Sequence, residues 1–100
     1  MKAIFISHYY KRNPENALLE VPRYAIEAWK QGGVPIVPHW LFPPVAQEAD
    51  ERTDIMAGCL ELVSRCDELW ACGPIVTDGM EAEIAQAKRL GKIIKYIALD

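Results

Sequence analysis

Four short β-rich runs alternate with helix-patterned segments along a chain of 100 residues, and this order restricts the fold more than any single residue does. The strand-like runs are Lys2 to Ser7, Val34 to Val37, Asp67 to Cys72 and Ile93 to Ala98. Helical spacing fills the intervals between them. Strands separated by helices cannot close as hairpins, so they pair in parallel through right-handed crossovers. The expected fold is α/β: a small doubly wound parallel sheet of four to five strands with helices on both faces, of the flavodoxin or Rossmann type. This length holds one modest core, so residues 1–100 are read as a single domain.

Each helical segment carries its own start and stop signals. Pro22 is tolerated in a first turn but not in a helix interior, which predicts a helix from about Val21 to Gln31 preceded by a short turn over Glu15 to Glu20. Gly32 and Gly33 end it. The segment Pro38-His39-Trp40-Leu41-Phe42-Pro43-Pro44 cannot continue a ladder, so the chain leaves the sheet at His39 and loops to Asp54. A helix over Thr53 to Arg65 buries Ile55, Met56, Cys59, Leu60, Leu62 and Val63. Gly79 opens the last helix, with Met80, Ile84, Ala87 and Leu90 inward and Gly91 as its stop. Trp29 and Trp70 are expected in the core.

Charge and cysteine content narrow the function classes. A net charge of −3 argues against a broad nucleic-acid footprint, so no nucleic acid polymer is expected as a partner. Cys59, Cys66 and Cys72 are odd in number and lack metal-ligand spacing; they read as reduced core thiols, with no metal and no cofactor implied. Glu48, Asp50, Glu51 and Asp54 read as a solvated acidic loop. No apolar run reaches membrane-spanning length, and Met1-Lys2-Ala3-Ile4-Phe5 enters a strand directly, without a signal pattern. The expected setting is cytoplasmic, away from membranes.

In open α/β sheets ligands bind outside the carboxyl ends of the strands. Residues expected at that edge are Ser7 to Tyr10 after the first strand, His39 after the second, Gly73 to Gly79 after the third, and Glu83 one turn into the last helix. Asp67 begins its strand and ordinarily lies at the opposite edge, unless the preceding turn carries it inward. Each residue also has a plain structural reading. Glu83 is a first-turn glutamate favoured by the helix dipole, His39 a loop histidine bonded to backbone, and Asp67 the cap of a turn. Tyr9 and Tyr10 can cover the sheet edge or a subunit contact. Trp40 and Phe42 can act as a lid stacking on a base or as an oligomer contact.

The segments Ile6-Ser7-His8-Tyr9-Tyr10, Pro35-Ile36-Val37-Pro38-His39, Arg65-Cys66-Asp67-Glu68-Leu69-Trp70 and Gly79-Met80-Glu81-Ala82-Glu83-Ile84 resemble, in order and approximate spacing over nearly the whole chain, a bacterial and phage domain family of unassigned function. That family is related to nucleoside 2-deoxyribosyltransferases. The resemblance implies a nucleoside 2-deoxyribosyltransferase-like fold and a site for a nucleoside- or nucleotide-like small molecule. In that site a glutamate attacks C1′, releases the base and leaves a glycosyl-enzyme for water or a second base. Glu83 matches the nucleophile, and its place near a helix N-terminus is expected to favour its ionised form. Asp67 matches an aspartate acting beside it. Tyr10, with Tyr9 nearby, His39 and Thr77 match sugar, base or phosphate contacts. Ser7, Gly73 and Gly79 complete the substrate-binding set. The first loop departs from related hydrolases that bind a 5′-phosphate, because Ser7-His8-Tyr9-Tyr10 lacks their glycines; Lys11 and Arg12 offer compensating charge.

A chain this small gains burial by association, so a homodimer or higher homo-oligomer is expected, with the loop over 38–54 completing a neighbour's pocket. Three functions fit these features: N-glycosidic cleavage or 2-deoxyribosyl transfer, binding or sequestering of a nucleotide derivative without turnover, and an oligomeric interaction protein.

Overall fold

The strands β1 (Lys2–Ser7), β2 (Gly33–Ile36), β3 (Glu68–Cys72) and β4 (Ile93–Ile97) form one sheet in the order β2-β1-β3-β4, and every pair is parallel. The structure is a computed structural model that describes residues 1–42 and 52–99, with residues 52–54 described by backbone alone. Its helices are α1 (Pro14–Lys30), α2 (Pro38–Leu41), α3 (Arg52–Arg65) and α4 (Asp78–Arg89). The sequence expectation of an α/β parallel sheet holds, with four strands among the described residues. The expected loop over 43–51, with Glu48, Asp50 and Glu51, lies outside them, as does the Asp54 side chain.

Strand pleat divides the core in two. Ile4, Ile6, Trp70 and Cys72 face α1 and pack with Val21, Tyr24, Ala25 and Ala28. Phe5, Leu69 and Ala71 face the other way, against Cys59 and Val63 of α3 and Met80, Ile84 and Ala87 of α4. Helices therefore cover both faces. The central strand β3 is buried at all five positions, while edge strand β4 exposes Ile93 and Tyr96. Full burial of a side chain such as Phe5 or Leu69 contributes roughly 1.5–3 kcal/mol.

Two expectations are corrected on α1. The helix does not begin at Val21; it starts at Pro14 and runs through Pro22. Asn13 caps it by accepting from the Asn16 N–H at 3.2 Å, and Pro14 occupies a first-turn position where no N–H is needed. These signals outweigh the hydrogen bond that Pro22 removes. Trp29 does not enter the core. The stripe Val21, Tyr24, Ala25 and Ala28 faces the sheet, leaving Ile26 and Trp29 outward, with Trp29 60% exposed. Trp70 is fully buried, as expected.

After β2, the segment Pro38–Leu41 forms a single helical turn, so His39 is held on a short helix. Phe42 is not a lid: its ring packs so closely on α3 that a Cβ added at Gly58 would lie 2.9 Å from it. Leu90, expected inward, is the C-cap of α4 and 38% exposed.

Candidate active site at the carboxyl edge

Strand β1 ends at Ser7 and β3 at Cys72, and these adjacent ends lie where the chain's connections depart to opposite faces. Ser7 and His8 follow one another and point to opposite sides, toward Glu83 of α4 and Glu20 of α1. On the α4 side, the fully buried Ser7 Oγ donates to Glu83 Oε1 at 2.7 Å. Glu83 is itself 7% exposed. Burial drives its carboxyl up from 4.5 to about 7, opposed by hydrogen bonds from Ser7 and from the Cys59 thiol. The expected help of the helix N-terminus does not dominate, because Glu83 lies in the second turn of α4 and dipole stabilisation fades beyond the first. Burial also pushes the Cys59 thiol up to about 12, with the Glu83 charge adding to the effect.

The α1 side carries a second polar cluster. His8 Nδ1 donates to the Tyr9 carbonyl at 2.9 Å, and His8 Nε2 lies 3.0 Å from Glu20 Oε2. The Tyr9 hydroxyl donates to the same oxygen at 3.3 Å and accepts from Asn16 Nδ2. Gly73, just past β3 with φ +89°, closes against this cluster; a Cβ there would stand 3.4 Å from His8 Nε2. That positive φ favours glycine for the backbone itself. Tyr24, its ring 5.7 Å from that of His8, accepts the Leu99 N–H at 3.1 Å.

His39 joins from α2. Its Nε2 is 3.0 Å from the Tyr9 carbonyl, which can only accept, so Nε2 carries the proton and Nδ1 a lone pair. Nδ1 is buried without a hydrogen-bond partner. Burial lowers the His39 pKa below 6.5; the Tyr9 carbonyl opposes this and the neighbouring His8 adds to it. Tyr10 meets the His39 ring edge-on at 5.5 Å and is 41% exposed.

The expected site residues therefore separate into groups. Ser7 and Glu83 touch directly, while Tyr9, Tyr10, His39 and Gly73 gather around His8. Tyr9 is buried, with its hydroxyl engaged by Glu20 and Asn16. Thr77 is the N-cap of α4, its Oγ1 accepting from the Met80 N–H at 3.3 Å, and Gly79 lies in the first turn it caps. Asp67 does not join them. Its Oδ2 accepts from the Ala3 N–H at 2.7 Å and its own N–H donates to the Ala3 carbonyl at 2.9 Å. Ala3 lies at the amino edge, four residues before Ser7 and roughly 13 Å along the strand. The preceding turn does not carry Asp67 inward; it ties the start of β3 to β1.

Glu20 is absent from the expected site, and His8, expected at this edge within Ser7 to Tyr10, carries no assigned role there. The signal for Glu20 was the Asn13-Pro14 helix start, which places it on α1 once the helix is read through Pro22. Among the described residues, no three His, Cys, Asp or Glu side chains cluster to hold a metal ion, and no helix is long and apolar enough to cross a membrane.

No curated protein matches the chain by sequence. Seven solved chains match it in structure, among them one described as 2-desoxiribosyltransferase from Leishmania mexicana. That match has a TM-score of 0.73 at 20% identity, covering 100% of this chain and 66% of that one. The chain thus spans just under two thirds of its neighbour's length, and the likeness shows a common α/β fold. Residues 2–97 match the family described as Domain of unknown function (DUF7768), and the chain belongs to that family.

Proposed function

We propose that the protein cleaves or transfers the N-glycosidic bond of a nucleoside-like or nucleotide-like substrate, with Glu83 as the nucleophile. The observation carrying this reading is the Glu83 carboxylate, buried at the carboxyl edge with the Ser7 hydroxyl 2.7 Å from Oε1. Ionised Glu83 attacks C1′ as the bond from C1′ to the base nitrogen breaks, and the departing base takes a proton from solvent water. Water, or the N–H nitrogen of a second base, then attacks C1′, gives up its proton to solvent and releases the carboxylate. Ser7 acts as a positioning residue, holding one carboxylate oxygen so that the other faces the sugar. Asp67, bound to the far edge, has no part in these steps. The fold shared with the 2-desoxiribosyltransferase supports the same chemistry.

The test is base release from a panel of nucleosides and nucleotides, followed by chromatography, with wild type, Glu83→Gln and Glu83→Ala. Release by the wild type that is lost in both variants is expected; release that survives both sinks the mechanism. A tight complex that yields only unchanged ligand would instead support binding without turnover.

Self-association rests on a separate feature, an open apolar groove where Trp29 and Ile26 of α1 meet Pro35 and Trp40. Trp29 and Trp40 are 60% and 49% exposed, which suits an interface with a second copy. Trp29→Glu is expected to shift the mass measured by light scattering toward the monomer.

A further inference from the structure

Two side chains from different elements meet the Glu83 carboxyl, and only one of them, Ser7, has a role in the proposed steps. Building on Glu83 as the nucleophile, we infer that Cys59 is a second positioning residue: its thiol, brought in by α3, donates a hydrogen bond to the carboxylate while the Ser7 hydroxyl donates another from the end of β1.

Cys59 packs in one buried cluster with Met80, Ile84 and Ala87, which share the inward face of α4 with Glu83. Cys59 and Glu83 are each 7% exposed, so little water competes for their contact. The residue before Cys59 is Gly58, and the Phe42 ring fills the space a side chain there would take: a Cβ would stand 2.9 Å from both Cε1 and Cζ. The missing side chain lets Phe42 lie on the α3 backbone beside Cys59. No charged side chain among the described residues bears on the Glu83 titration; burial opposes the ionised form, and the Ser7 and Cys59 hydrogen bonds support it.

The three cysteines differ in what their sulfur meets. Cys72 Sγ donates to the Trp70 carbonyl at 3.4 Å, within β3, and Cys66 lies near the charges of Asp67 and Lys92. Cys59 alone of the three meets Glu83. A thiolate only accepts, and it would repel the carboxylate. Burial pushes the Cys59 thiol up to about 12, so it keeps its proton and remains a donor across the range in which Glu83 ionises, near 7. Loss of this donor leaves more of Glu83 protonated at neutral pH, and a protonated carboxyl does not attack C1′.

The experiment follows the Glu83 carboxyl by carbon NMR titration, and base-release kcat/KM against pH, in wild type, Cys59→Val and Cys59→Ser. Valine fills the space without a donor, whereas serine keeps one. Cys59→Val is expected to raise the Glu83 titration and the acid limb of kcat/KM together by about half a unit to one unit, which is about three- to tenfold less activity on that limb, and Cys59→Ser to recover at least about half of the shift. In the wild type, the infrared S–H stretching band of Cys59, assigned by difference from Cys59→Ser, is expected to move to lower wavenumber as Glu83 ionises and to stay fixed in Glu83→Gln. A purely structural Cys59 would lower Tm in Cys59→Val and leave titration and band in place, which overturns the inference; so does either an unmoved titration or a fixed wild-type band alone. Should Cys59→Val not fold, the band decides. Absence of base release across the nucleoside and nucleotide panel fails the glycosidic reading itself, whereas release with titration and band unmoved fails the Cys59 assignment only.

Discussion

Replacing Glu83 with glutamine should stabilise the protein in alkaline solution and leave it nearly unchanged in acid. The carboxyl titrates near 4.5 in an ordinary setting and near 7 when folded, because burial opposes its charge more strongly than Ser7 and Cys59 support it. As pH rises through this interval the unfolded chain releases the proton first, so ionisation favours unfolding. Integrated from pH 4 to pH 9, the difference amounts to about 3 kcal/mol of lost stability. Glutamine keeps the shape and an oxygen for the Ser7 hydroxyl but cannot ionise. The quantity to measure is the change in unfolding free energy between the two pH values, from urea denaturation, for wild type and Glu83→Gln. Any fixed cost of burying the amide cancels, as does every other titrating group. The wild type is expected to lose about 3 kcal/mol more than the variant, and in thermal unfolding roughly 15 °C more in Tm for a chain of this length. Parallel pH profiles would refute the reasoning, since they would mean that Glu83 titrates alike in the folded and unfolded chain.

Other perturbations test neighbouring parts of the structure. Ser7→Ala removes a donor to the ionised carboxylate and should raise the Glu83 titration by about one unit or more above the wild-type value, read by carboxyl-carbon NMR. Glu68 is buried within β3, where desolvation opposes its charge; Lys2 at 2.6 Å, Trp70 Nε1 at 3.1 Å and Lys95 at 3.6 Å more than offset it and hold the carboxyl below its ordinary value. Glu68→Ala should cost about 1–3 kcal/mol at neutral pH by chemical denaturation, because it leaves the buried Trp70 N–H without an acceptor while Lys2 and Lys95 stay solvated. Because the folded value is depressed, that stabilisation is present above about 4.5 and fades as pH falls through the folded value. Gly33→Ala would place a Cβ 2.2 Å from Ile4 Cδ1 and 2.9 Å from its Cγ1, and the fully buried Ile4 would have to shift within the core to make room. A loss of about 1–3 kcal/mol is expected, measured as a lower denaturation midpoint.

The alternation of strand and helix periods determined the architecture, because parallel pairing is the arrangement that short strands joined through helices can adopt. It also carried Ser7, His39 and Glu83 to one edge, since the carboxyl end of each strand follows from chain direction alone. Local patterning could not decide which side of α1 faces the sheet. Ile26 and Trp29 are as apolar as the buried positions, and packing against β1 and β3 selected Val21, Tyr24, Ala25 and Ala28. Nor could sequence distance reveal that Glu20, 12 residues after His8, meets its ring, or that Asp67 binds Ala3 across 64 positions. The Glu83 titration was likewise a tertiary result. A glutamate near a helix start is expected to ionise readily, and it was enclosure by α3, α4 and the end of β1 that removed water and moved the carboxyl to about 7. Sequence set the order and direction of the elements; burial and pairing between distant residues, which depend on how those elements close on one another, decided what each polar side chain became.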